Sequence, residues 1–378
     1  MERRGVPVGA QQASHRILDN REHDICRRIA DQISATLRLN FERVNIGSLE
    51  AIRAAFDEIV VAEHLQAHHG LSVSLREVFK HLHQLSQQTY ENKALTFGCL
   101  VDRAESRNAE SSDSDLKFPA DFLNKKKYRA LSDGYRTAYH VSGDGQLIDF
   151  IALDSFKAPE LTGKHFYPAW SEPMARVSRD RRCGISLSRQ GDILVFDEGT
   201  LRFTYRYGRW QYWNHAQLRT LLRDRARAQH VKPSFLGKLI GEVYRAALDV
   251  SFRRSGALFI VLRNRKNLDM IVREGDAIND LTREDVDAAF DETIDIRGID
   301  RAVLVELSSL DGAVVLDNSA TLLAYGAVLE PKKKGQLRGS EGSRTKAAIG
   351  ASFCGLAVKV SSDGDITVYH EGKEFIRI

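Results

Sequence analysis

Seven residues, Gly256–Leu262, do most to limit what this chain can fold into. Gly-Ala-Leu-Phe-Ile-Val-Leu has no wet face, and polar residues flank it. The run is far too short to cross a bilayer, which takes about 20 apolar residues. It reads as a strand buried on both faces, which needs a sheet around it and cover on each side. Just upstream, Phe235, Leu236, Leu239, Ile240, Val243, Tyr244 and Ala247 form a helical stripe. Downstream, Thr282 and Asp285 form a variant capping box, with Asp in place of Glu or Gln. Ala313–Leu316 and Thr321–Leu329 read as strands joined at Asp317-Asn318-Ser319, and Arg344–Ser352 reads as a helix. Two last strands surround Asp363-Gly364. From His215 onward the expectation is a mixed β-sheet flanked by helices.

The preceding residues differ in texture. Residues 1–14 are polar and read as disordered. A helical N-terminal domain is expected over 15–101: Ile25, Ile29, Ile33 and Leu37 repeat every four residues, Ile52, Ala55, Phe56 and Ile59 share a face, and Leu75, Val78, Phe79, Leu82 and Leu85 do the same. Residues 102–117, rich in Ser, Asp and Glu, read as a linker. A β-rich middle domain is expected over 118–214, with alternation in Ile185–Leu187, Ile193–Phe196 and Leu201–Tyr207. The last domain is 215–378, and the fold class is α+β or α/β.

An internal echo runs through the last two parts. Cys183-Gly184-Ile185, Gly191-Asp192-Ile193 and Glu198-Gly199 parallel Cys354-Gly355-Leu356, Gly364-Asp365-Ile366 and Glu371-Gly372. Two unrelated hairpins with similar turn chemistry are the simpler account; a structurally related sheet in the middle domain is the other.

A 43% hydrophobic content suffices for a packed core, and a formal charge of +4 is too small to argue for nucleic acid or membrane as a partner. Cys26, Cys99, Cys183 and Cys354 are scattered, unlike a zinc site or a secreted disulfide framework, so a reduced, cytoplasmic protein is expected. No apolar h-region follows the charged N-terminus.

Two stretches carry candidate chemistry. Ser309-Leu310-Asp311-Gly312-Ala313 sets a carboxylate at the mouth of an apolar strand, next to a glycine that permits close backbone approach and a small alanine wall. Asp-Gly alone is a common turn. In Gly342-Ser343-Arg344-Thr345-Lys346, glycine precedes a helix whose first turn carries two cations. Helix N-termini prefer acidic residues, so two cations there favour a bound anion such as a triphosphate. Between the two, Pro331-Lys332-Lys333-Lys334-Gly335-Gln336-Leu337-Arg338 is either a solvated loop or a basic lip that attracts polyphosphate.

Asp-Gly-Ala on a strand, a return strand ending in Leu329-Glu330-Pro331, then Gly342-Ser343-Arg344-Thr345-Lys346-Ala347-Ala348-Ile349-Gly350 and a Val-Ser hairpin resemble, in order and spacing, diadenylate cyclase (DAC) domains. Ser255-Gly256-Ala257-Leu258 resembles the family's Gly-Ala-Leu strand. The resemblance covers about Ser234 to Ile378. It implies an enzyme that condenses two ATP into cyclic di-AMP with Mg2+ or Mn2+, working as a homo-oligomer with face-to-face cyclase domains. Asp311 would assist the 3′-hydroxyl, through the metal or as a base. Gly312 and Ala313 would line the adenosine pocket; Ser343, Arg344 and Lys346 would hold triphosphate, with Gly342 and Thr345 also nucleotide-binding; Ser361 would also contact phosphate. Arg344 and Lys346 count with Asp311 as catalytic. Arg344-Thr345-Lys346 departs from the family's Arg-His-Arg, which removes a possible metal ligand, and Leu310 replaces a family His. An inactive nucleotide-binding sensor and a cyclase with another product are the alternatives. The β-rich middle domain resembles a presumed sensor domain found ahead of some DAC domains.

Other signals are set aside. His64, His68 and His69, with His81 and His83, lack a carboxylate or cysteine at a recognisable spacing and read as solvated helix histidines. Arg202, Arg206 and Arg209 among Tyr205, Tyr207, Trp210 and Tyr212 fit either base stacking or a basic edge strand.

Overall fold

The computed structural model describes residues 19–37, 46–103, 117–158, 160–161, 163–228, 233–278, 295–333 and 342–378. The expected disordered start, most of the linker, the capping box at Thr282 and the lip beyond Lys333 lie outside the described residues. The chain divides into two compact units, one holding the described residues up to Ala158 and Val177–Tyr212, the other Pro159–Arg176 and Trp213–Ile378.

The first unit opens with helices α1 (Asn20–Leu37), α2 (Ile46–His69) and α3 (Leu75–Ser86). A small hairpin, β1 (Thr89–Tyr90) and β2 (Lys93–Ala94), leads to β3 (Phe97–Asp102). Short helices α4 (Ala120–Asn124) and α5 (Lys126–Arg129) precede β4 (Thr137–Val141) and β5 (Leu147–Ala152). After α6 (Glu172–Val177), which begins in the second unit's segment, come β6 (Arg182–Leu187), β7 (Ile193–Asp197), β8 (Thr200–Arg206) and β9 (Arg209–Tyr212). The sheet order is β5-β4-β3-β6-β7-β8-β9. Leu75, Val78, Phe79, Leu82 and Leu85, one stripe of α3, share a core with Phe97, Cys99, Ile185 and Val195. The helical segment thus supplies the sheet's apolar cover and shares its core. The Arg- and aromatic-rich strands belong to the same packing: Trp210 lies 4.6 Å from Phe79, and buried Arg206 faces Asp192 at 3.4 Å.

The second unit runs through α7 (His215–Ala228), α8 (Pro233–Arg253), β10 (Ala257–Leu262), α9 (Arg301–Ser309), β11 (Ala313–Leu316), β12 (Leu322–Ala327), α10 (Ser343–Ala351), β13 (Gly355–Val360), β14 (Ile366–His370) and β15 (Lys373–Arg377). Its sheet order is β12-β11-β10-β13-β14-β15. β10 is buried at every position, as its unbroken apolar sequence requires. Leu258, Ile260 and Leu262 pack with Ala348, Ile349 and Ala351 of α10. The alternate residues face the other way, toward α8 and α9. Asp249 of α8 holds residues 167–169 within this unit: it accepts from Ala169 N at 2.7 Å and from Arg301 Nε at 2.5 Å, and Arg301 Nη2 donates to Tyr167 O at 2.8 Å.

The two sheets share one plan. In each, the central strand (β3 or β10) pairs parallel with the next strand and antiparallel with the fourth, and hairpins complete both sides. The turns agree atom by atom. Ser188 N donates to Asp192 O and Asp192 N to Ser188 Oγ (2.8 and 3.0 Å); Ser361 N donates to Asp365 O and Asp365 N to Ser361 Oγ (2.9 and 3.1 Å). Gln146 N donates to Ser142 Oγ as Thr321 N does to Asp317 Oδ1 (3.0 and 2.9 Å). Glu198-Gly199 and Glu371-Gly372 both have positive φ, 51° and 73° against 50° and 75°. The structurally related sheet is therefore the better account of the echo, with one correction. Register sets Cys183 against Asp197 and Leu356 against His370, so Cys183 corresponds to Leu356 and not to Cys354.

Candidate active site

Four of the residues singled out in the sequence meet at one cavity of about 340 Å³ in the second unit: Asp311, Gly312, Ser343 and Arg344. Leu258, Ala327, Val328, Leu329 and Ala347 complete its lining. Asp311 arrives in the bend between α9 and β11, exposed at the strand's mouth. Gly312 has φ +128°, and a Cβ there would collide with the Gly326–Ala327 backbone. Its close approach is therefore to the neighbouring strand, which draws β11 and β12 together beneath the cavity. Ala313 is buried opposite Ala327 and is not among the cavity's lining residues.

α10 presents its N-terminus to this cavity. Its N-cap, Gly342, offers no side-chain cap, and its first turn has no acidic residue, so the first backbone N–H groups are left to a ligand. Arg344 is half-buried, with its guanidinium against Gly256: a Cβ on that glycine would lie 2.9 Å from Arg344 Cζ and closer to Nη1. No ion-pair partner for Arg344 is found among the described residues. Lys346 is exposed, while Thr345 Oγ1 accepts a hydrogen bond from Lys359 Nζ at 3.0 Å; neither lines the cavity. Ser361 follows Val360, the register partner of Ala257, so it stands level with Gly256 and the Arg344 head. Its Oγ already caps the β13–β14 turn. At the other end of α10, Gly350 packs on Pro331, and Lys333 lies over the Phe353 ring at 6.0 Å, so the described start of the basic loop is anchored there.

The sequence reading missed Gly256 as a spacer for Arg344. It also missed the apolar wall, where Val328 is 45% exposed beside the cavity. The Gly-Ala-Leu strand carried the first signal. The wall had none, because Leu258, Val328 and Ala347 meet only across three elements.

The α2 histidines require a correction. His64 and His69 are buried, and their carboxylates come from distant segments. His64 Nδ1 lies 2.8 Å from Asp24 Oδ2, and His69 Nε2 lies 3.4 Å from Asp197 Oδ1. His68, His69 and Asp197 form a group that could hold a metal ion, in the first unit and not at the Asp311 cavity. Among the described residues no helix is long and apolar enough to cross a membrane.

The family model described as "DisA bacterial checkpoint controller nucleotide-binding", DAC, matches residues 244–374, from α8 to β15. Among solved structures, a double mutant of DacA from Staphylococcus aureus is 23% identical, over 36% of this chain and 85% of that one, with a TM-score of 0.26. A hypothetical membrane spanning protein from Bacillus cereus is 20% identical, over 43% of this chain and 74% of that one, with a TM-score of 0.29. No curated protein matches the sequence. Residues 244–374, which hold the central strand, the Asp311 bend and the open N-terminus of α10, are a DAC-domain region that follows helical and β-rich segments in the sequence.

Proposed function

We propose that the second unit is a diadenylate cyclase centre that condenses two ATP into cyclic di-AMP and two pyrophosphates. The observation that carries this reading is one cavity holding a carboxylate, Asp311, opposite an uncapped helix N-terminus with the Arg344 guanidinium beside it. The α10 N–H groups and Arg344 would bind and orient the triphosphate. Leu258, Val328, Leu329 and Ala347 would exclude water from the flat face of the base. Each 3′-hydroxyl attacks the α-phosphorus of the other nucleotide. An O–P bond forms, the bond to pyrophosphate breaks, and the hydroxyl proton passes to the Asp311 carboxylate or to water. Such a displacement needs positioning and charge neutralisation more than covalent help from the protein.

Among the described residues Asp311 is the one carboxylate in the lining. A single carboxylate combined with substrate phosphates suits Mg2+ or Mn2+. Asp311 would hold such an ion, which supplies charge neutralisation. The departure at Thr345, whose hydroxyl is engaged by Lys359, favours one second reading: a nucleotide-binding sensor without turnover. The first unit, in either case, would regulate the second.

Incubation of the full chain with ATP or GTP and each divalent metal, followed by mass spectrometry, tests the assignment. Cyclic di-AMP from ATP is the expected product; ATP bound but unchanged with every metal would establish the sensor reading. Asp311→Asn should abolish turnover, by at least about 100-fold, with ATP affinity nearly unchanged.

A further inference from the structure

We propose that His68, His69 and Asp197 form a transition-metal site of the zinc class in the first unit, separate from the cyclase cavity. Three observations converge on it. His69, at the end of α2, is buried, and its Nε2 has Asp197 Oδ1 at 3.4 Å but no well-aligned hydrogen bond. An imidazole nitrogen kept from water without a partner is costly unless something accepts its lone pair or its proton. Asp197, at the end of β7, has a side chain only 3% exposed and divides its two oxygens: Oδ2 accepts from Arg21 Nη1 at 2.5 Å, while Oδ1 faces His69 Nε2 at 3.4 Å. That second distance is close to the edge of a zinc tetrahedron, roughly 3.3 Å for ligand bonds of about 2.0–2.1 Å. The three ligand atoms all lie within 4.8 Å of one another, so small side-chain rotations bring them around one ion.

The surroundings fit a metal better than a bare ion pair. Arg21 Nη1 holds the Asp197 oxygen turned away from His69, the kind of outer contact that orients a ligating carboxylate. Arg21 Nη2 also lies 3.3 Å from His68 Nε2, a weak contact that the ion would replace. His68 is 38% exposed, so it gives the site an entrance and a position open to water. Two imidazoles and a carboxylate select zinc-like ions over Mg2+, which prefers all-oxygen shells. The site is also not part of the plan common to the two sheets. Asp197 occupies the position that His370 holds in the second sheet, each just before a Glu-Gly turn. A metal here would fasten the end of α2 to β7.

Tag-free full-length protein, dialysed against Zn2+ and analysed by mass spectrometry for bound metal, tests the proposal, with Co2+ as a spectroscopic probe of the same site. One zinc per chain is expected, held against excess Mg2+, with a tetrahedral Co2+ band and a thermal midpoint that rises with added Zn2+. His69→Gln should weaken zinc binding by about 100-fold or more. His68→Ala, at a partly exposed position, should weaken it comparably. Asp311→Asn should leave it unchanged. Wild-type protein that retains no zinc, or zinc retained equally by His68→Ala and His69→Gln, would overturn the proposal.

Discussion

A methyl group added at Gly256 would run into the Arg344 guanidinium, so these two residues act together although 88 positions separate them. Gly256→Ala should push the Arg344 head off the strand and out of reach of phosphate. The expected result is ATP affinity lowered about tenfold, or about 1.4 kcal/mol, with the circular dichroism spectrum unchanged. The double variant with Arg344→Ala should bind no more weakly than Arg344→Ala alone, because the two losses are one loss. Additive losses in that cycle would mean that Gly256 serves something other than Arg344. Both residues stand in the sequence in recognisable motifs, yet no periodicity ties them, since the tie is a side chain crossing from a helix to a strand.

The hairpins let a turn serve as its own control. Ser188 and Ser361 make the same pair of turn hydrogen bonds, but Ser361 alone stands level with the Arg344 head. Ser188→Ala and Ser361→Ala should each cost about 1 kcal/mol of stability. Ser361→Ala should in addition weaken ATP binding; equal ATP affinities in the two variants would make Ser361 a turn residue and nothing more. Asp133 gives the same element scale a pH dependence. Burial would raise its pKa, but donation from Arg136 N, Tyr135 N and Thr137 N outweighs that and holds it below the usual carboxylate value. A depressed folded pKa means stability that is present above the unfolded value, about 3.9, and lost as pH falls below it. Asp133→Ala should therefore lower stability by about 1 kcal/mol at pH 7. The difference from wild type should narrow in denaturant titrations below about pH 3.9; a gap independent of pH would contradict the role of these turn hydrogen bonds.

At the scale of the whole molecule, two sheets of one plan need not mean two nucleotide sites. Counted back from the equivalent turns at Ser142 and Asp317, the place of Asp311 in the first sheet falls to Arg136. Between β5 and β6, where the second sheet has α10, the chain carries α6 (Glu172–Val177), whose residues up to Arg176 belong to the second unit. The first sheet therefore has no equivalent helix N-terminus among its own unit's described residues between β5 and β6. Calorimetric titration with a non-hydrolysable ATP analogue should give one site per chain. The proposed product joins two nucleotides, so turnover should need two chains, and specific activity should fall on dilution. Activity per chain that stays constant into a verified monomeric state would contradict this.

Local signals were enough for much of this molecule. The apolar run at Gly256–Leu262 reads as a doubly covered strand, and a glycine followed by two cations reads as a helix start that favours an anion; each follows from a few neighbouring residues. Asp311, Gly312, Ser343 and Arg344 were legible on those grounds. Other features depend on atoms brought together from distant segments. The His69–Asp197 pair joins α2 to β7, the apolar wall of the cavity joins three elements, and the likeness of the two sheets resides in register and turn hydrogen bonds more than in residue identity. Periodicity reports which face of an element is buried, but not which other element buries it. That choice is made by packing and by the pairing of buried polar groups, and only the tertiary structure decided it.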